Sequence, residues 1–198
     1  MSSRQAILDR IKENKPAAPA PWVKPPFQVP LPQDRLALFQ HSIGAAGSVG
    51  VLVPDLVSVG IYLQERFMSP DRVVNTVAGV GFGRDVSTAI LEKEALAQVE
   101  VAVVAGVLGV AENGAVWVTE EQVPVRVLPF LCEHLVLVVR QQDLVGTMQE
   151  AYANIKVDAT GYGTFIAGPS RTADIEQSLV IGAHGPKRMH VFIIQSEL

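Results

Sequence analysis

The sequence predicts an α/β domain built on a Rossmann-like, mostly parallel sheet, and three observations carry that expectation. From residue 34 onward, helix-like and strand-like segments alternate, the pattern of a sheet with crossover helices. The run VEVAVVAG, residues 99–106, is apolar at nearly every position, as a strand covered on both faces would be. The composition, 48% hydrophobic and 18% charged over 198 residues, describes a chain able to bury one ordinary core.

The elements follow in order. Ile7, Leu8 and Ile11 recur at helical spacing, predicting a helix within residues 1–15. Residues 16–33 hold seven of the thirteen prolines and must form an extended linker or arm. Its Trp22 and Phe27 suit packing either on their own domain or on a partner. Residues 34–198 form the α/β domain. There DRLALFQHSIGAAG predicts a helix, SVGVLV a strand, DLVSVGIYLQERF a helix and DRVVNTV a strand. A helix is expected over Ser87–Gln98, then strands at VEVAVVAG, AVWVTE and HLVLVVR. QQDLVGTMQEAYANI is expected to be helical, GTFIAG a strand, TADIEQSLV a last helix and MHVFII a last strand.

Charge and cysteine content exclude whole classes of function. A formal net charge of −4, without interleaved basic and aromatic residues, argues against nucleic acid as a partner. A single cysteine, Cys132, cannot hold an iron–sulfur cluster or a cysteine-rich zinc site, and the four histidines show no metal-ligand spacing. No metal or cofactor is therefore expected on this chain. The start, MSSRQAILDRIKENK, does not read as a signal peptide, and no apolar run reaches the length of a membrane span. A cytoplasmic location is the expectation.

Two loops carry the candidate chemistry. In GPSRTADIEQSLVIGAHGP, Gly168–Pro186, the residues Ser170, Thr172 and Asp174 can cap the expected helix, Asp174 with Gln177 as a capping box. Arg171, just before that helix, could join its free N–H groups in cradling a carboxylate or phosphate, or pair with Asp174 or Glu176. Gly182 would end the helix and place His184 near its C-terminus. In AGVLGVAENGAVWVTE, Asn113-Gly114 is a hairpin signal, while Glu112 stands among apolar neighbours that would raise its pKa. Glu112 is thus the best single candidate for a reacting group. His134 opens a strand after Cys132 and Glu133, which would alternate across that strand and cannot converge; His134 and His184 are further candidate binding residues, His134 by lining the end of the sheet. The glycines of AGVGFGRD at Ala78–Asp85 lack the spacing of a dinucleotide fingerprint and read as a turn. Parallel sheets bind ligands beyond their carboxyl ends, so the loops after Val99–Ala105 and Gly163–Ala167 are expected together there.

VAENGAVWV and GPSRTADIEQSLVIGAHGP, with LPFLCEHLVLVV between them, resemble the lactate utilisation protein C family and its LUD domain over about residues 35–196. The resemblance implies a fold like that of the NagB/RpiA/CoA-transferase superfamily. It also implies a part in oxidising L-lactate to pyruvate beside iron–sulfur proteins, with the clusters on those partners, or binding of a small carboxylate. The CoA-transferase branch carries its catalytic glutamate in Ser-Glu-Asn-Gly. Ala111-Glu112-Asn113-Gly114 matches three of those four residues, so acyl transfer through Glu112 stays open as an alternative. A non-catalytic interaction module, or an oligomer of this chain, is the other alternative.

Overall fold

The computed structural model describes residues 3–16, 33–85, 93–156, 161–174 and 178–195. It divides into two compact units, Met1–Pro30 and Leu31–Leu198. In the first, helix α1 covers Ser3–Glu13, where the apolar spacing places it. Trp22, Phe27 and most of the Pro-rich stretch lie outside the described residues.

The second unit is organised by a six-stranded parallel sheet. Its strands are β1 (Val49–Val53), β2 (Val73–Asn75), β3 (Arg84–Asp85), β4 (Val101–Ala105), β7 (His134–Arg140) and β12 (Arg188–Ile194), in the order β1-β12-β7-β4-β2-β3. The central members are β-branched and apolar on both sides, which suits a strand with two buried faces. Leu135, Leu137, Val139, Val191 and Ile193 face one core, with Phe39 and Ile43 of α2 (Arg35–Ala45). Val101, Val103, Val136, Val138 and Phe192 face another, against Val59 and Leu63 of α3 (Leu56–Arg66). Both helices start at an aspartate cap. Asp34 accepts the Ala37 N–H at 2.9 Å, and Asp55 accepts the Ser58 N–H at 2.8 Å.

A second sheet departs from the simple alternation. It has the order β8-β5-β6-β9, from β5 (Leu108–Val110), β6 (Ala115–Thr119), β8 (Leu144–Val145) and β9 (Gly163–Ile166). β6 runs antiparallel to both β5 and β9. Val116 and Val118 turn to the first core, while Trp117 and Ala115 turn to a smaller cluster with Ala151. AVWVTE and GTFIAG are therefore strands as expected, but of this sheet, not of the parallel one.

Three helix expectations change. Ser87–Gln98 is helical at α4 (Lys93–Leu96), and its residues 87–92 lie outside the described region. Of residues 141–155, only α6 (Met148–Asn154) is an α-helix, because Gly146 breaks the segment and Thr147 caps a new start, accepting the Glu150 N–H at 3.2 Å. TADIEQSLV is not a helix: β10 (Arg171–Asp174) and β11 (Ser178–Ile181) pair antiparallel, Arg171 opposite Ile181. The two ends of this hairpin are joined, Gly182 N–H donating to Ser170 O at 3.0 Å, and Ser170 N–H is held by Pro186 O at 2.9 Å. With its ends joined, the segment completes a ladder instead of a helix. Short helix α5 (Leu128–Leu131) precedes β7 and ends at Cys132, which is buried.

Candidate functional site

The hairpin changes the chemistry expected of Gly168–Pro186. Asp174 is a strand residue opposite Ser178, so it does not cap a helix. Glu176 lies outside the described residues. Arg171 meets no helix N-terminus. Its guanidinium instead lies over Gly47 at the end of α2, where a side chain on that glycine would strike it. Arg171 is exposed, and its guanidinium has no hydrogen bond or ion pair among the described residues. Ser170 and Thr172 on either side are half-buried.

Glu112 lies in the turn between β5 and β6. Val110 and Ala111 are buried, but the Glu112 side chain is exposed, so its surroundings are not the apolar ones expected. Its Oε1 accepts the Met148 N–H at 2.7 Å, holding the first turn of α6. The turn itself is the expected one. Asn113 Oδ1 accepts the Ala115 N–H at 3.0 Å, and Gly114 adopts φ +71 with its N–H donating to Val110 O. As placed here, Glu112 caps a helix and is open to water.

His184 is exposed on the loop between β11 and β12 and borders a cleft of about 360 Å³. The helix expected to end just before it is absent, since Ser178–Ile181 is strand β11. Phe130 and Leu131 form the opposite wall, and Lys187 pairs with Glu133 at 3.3 Å on the floor. His134 starts β7 beside this floor. Its ring stands edge-on to Phe67 at 5.3 Å, and its Nδ1 is buried without a hydrogen-bond partner among the described residues.

His134 and His190 both titrate below the ordinary histidine range. Burial is the main cause for each; Arg188 adds to it at His134, and His134, Arg66 and Arg188 add to it at His190. Glu100 and Glu133 oppose the shift at His134. An unfolded histidine titrates near about 6.5, so below that pH the unfolded chain binds more protons and folding weakens. The Tm is expected to fall between about pH 7.5 and about pH 5.5, and to fall less in a His134→Gln/His190→Gln variant. An equal drop in both proteins would contradict this account.

The two signature loops do not meet beyond the carboxyl ends of one sheet. β9 belongs to the second sheet, and Gly168–Pro186 lies before the amino end of β12. What they share is α2. Gly114 packs on the backbone of Ser42 and Ile43, Gly168 on the carbonyl of Ala46, and Arg171 on Gly47. Sequence reading passes over Gln122 and Arg140, which line a crevice at the carboxyl edge. Arg140 ends a parallel strand, and that position was the available signal.

Comparison with known proteins sets this geometry in a family. A lactate utilization protein C of Bacillus pumilus (strain SAFR-032) is 33% identical over 93 residues, 44% of this chain and 39% of that protein. A protein of the same name from Shouchella clausii (strain KSM-K16) is 32% identical over 93 residues, 40% of its length. The chain thus spans about two fifths of the length of these relatives. A DUF162 family protein of Deinococcus radiodurans superposes with a TM-score of 0.60, covering 82% of this chain and 99% of that one at 19% identity, a likeness of fold. The LUD domain model matches residues 87–194, more than half of the chain and including both signature loops, and the chain belongs to that family.

Proposed function

We propose that this chain works in L-lactate utilisation, as a component that supports oxidation of L-lactate to pyruvate beside iron–sulfur proteins and carries no redox centre itself. The carrying observation is the family membership, joined to relatives whose shared name is lactate utilization protein C. The chemistry of the chain is consistent with it. Cys132 is its single cysteine, buried, with a thiol pushed up to about 12 by desolvation, so it offers no thiolate to a cluster. Among the described residues no group of histidine, cysteine and carboxylate side chains is placed to hold a metal ion.

The part left to the chain is recognition of a partner protein or a small carboxylate. Arg171 of β10, the exposed Val180 and Ile181 of β11 and His184 in the loop that follows suit contact with a partner protein. Acyl transfer through Glu112 gains no support from its exposed, helix-capping position. Deleting the gene should abolish growth of its host on L-lactate as sole carbon source, and a plasmid copy should restore it. Undiminished growth of the deletion strain would overturn this reading.

A further inference from the structure

The carboxyl ends of β4, β7 and β12, with the first residue of α3, enclose a crevice of about 260 Å³. This is where adjacent parallel strands deliver their loops and where α/β sheets place ligands. Leu56, Val107, Val138 and Ile194 supply apolar walls, and Gln122 and Arg140 are polar. Val107 is 40% exposed, so the space opens to solvent on that side.

The hydrogen bonds already made decide what the two polar groups can still offer. Gln122 Oε1 accepts both the Thr119 N–H at 3.3 Å and the Thr119 hydroxyl at 2.5 Å. A backbone N–H can only donate, so this contact fixes which end of the amide is the oxygen. The remaining Nε2 group is a pure donor. Arg140 Nε donates to Asp143 Oδ2 at 2.5 Å, which anchors one edge of the guanidinium. Its two Nη groups have no partner among the described residues. The crevice therefore presents a fork of donors and one further donor against an apolar wall.

We propose that this crevice binds a small 2-oxo or 2-hydroxy monocarboxylate. The carboxylate lies on the Arg140 fork, a pairing suited to planar, two-point contact. The adjacent keto or hydroxyl oxygen accepts from the Gln122 amide. The short alkyl tail lies against Leu56, Val107 and Val138. Asp143 balances the Arg140 charge, so an anion with one charge fits better than a polyanion. The choice of acid rests on the lactate reading above, whereas the donor pattern stands without it.

Calorimetric titration of the full chain with pyruvate and with L-lactate tests the site. Saturable binding is expected for at least one of them. Gln122→Glu keeps the acceptor for Thr119 and replaces the donor with a carboxylate oxygen, and should weaken binding by about tenfold or more. Unweakened binding in Gln122→Glu, or no saturable binding of either acid to the unaltered chain, overturns the proposal. Where circular dichroism shows the variant unfolded, the side-chain amide resonances of Gln122 in the unaltered chain decide: they should shift on adding whichever acid binds, and unmoved resonances sink the site. Failure of the growth test with binding intact would remove the lactate role and leave the site standing.

Discussion

Phe192→Ala is expected to destabilise the protein by about 3–5 kcal/mol, the range for truncating a fully buried aromatic. Phe192 has no solvent exposure and sits in the middle of β12, with Val51 of β1 beside it on one side and Val138 of β7 on the other. Tyr62 of α3 meets its ring edge-on at 4.9 Å, so alanine would remove both the wall contact and an aromatic pair. β12 itself is hydrogen-bonded on both sides, to β1 and to β7, so its backbone cannot shift to fill the space. Natural domains hold about 5–15 kcal/mol in total, so this one change should leave the variant close to its unfolding threshold. Urea denaturation of the two proteins measures it. A loss below about 1.5 kcal/mol would mean that the α3 face repacks in a way the sheet does not suggest.

The second large effect belongs to the Glu-Asn-Gly turn. Gly114→Ala places a methyl group on a residue at φ +71, and its Cβ would stand 2.7 Å from Ile43 N and 2.9 Å from the Ser42 carbonyl carbon. Strain at such a backbone position costs about 1–3 kcal/mol, and forcing apart packed backbone adds about 1–3 kcal/mol more. The neighbouring Asn113→Ala loses one side-chain acceptor and should cost only about 1 kcal/mol. Thermal and urea melts of the pair separate the two cases. Equal, small losses would show that the turn can lift from α2. The expected ordering makes the glycine of this signature a packing residue, whatever Glu112 does.

Much of the parallel sheet was legible because its strands carry a period and length that no helix shares. VEVAVVAG, HLVLVVR and MHVFII are short, rich in β-branched residues and apolar at most positions, and they became β4, β7 and β12. The caps at Asp34 and Asp55 were equally local and equally readable. What could not be read was partnership. Nothing within AVWVTE or GTFIAG tells a strand of one sheet from a strand of another, since that choice depends on which neighbour supplies the hydrogen bonds. The signature hairpin failed as a helix for the same reason. Asp174 with Gln177 imitates a capping box, but the bonds of Ser170 to Pro186 and of Gly182 to Ser170 join residues twelve and sixteen apart. Asn113 and Gly114 form the turn expected of them, but two other candidates were found by type and misplaced in setting. Arg171 was noticed for a helix dipole that does not exist, and Glu112 for an apolar pocket it does not occupy. Gln122 belonged to no motif at all, because its meaning comes from the Thr119 contact that turns its amide into a donor.

The position of β12 has a consequence for how the chain is made. Among the described residues β1 is paired with β12 and with no other strand, and β7 carries β12 on the side away from β4. During synthesis, therefore, some 135 residues separate the emergence of β1 from that of the strand that completes it. Until Arg188–Ile194 has left the ribosome, β1 and β7 each expose an open edge with no ladder to occupy it. Closure of this sheet waits on β12, and contacts so distant in sequence form slowly. The nascent chain is thus most prone to aggregate just before β12 inserts, and a chaperone that shields strand edges would act in that interval.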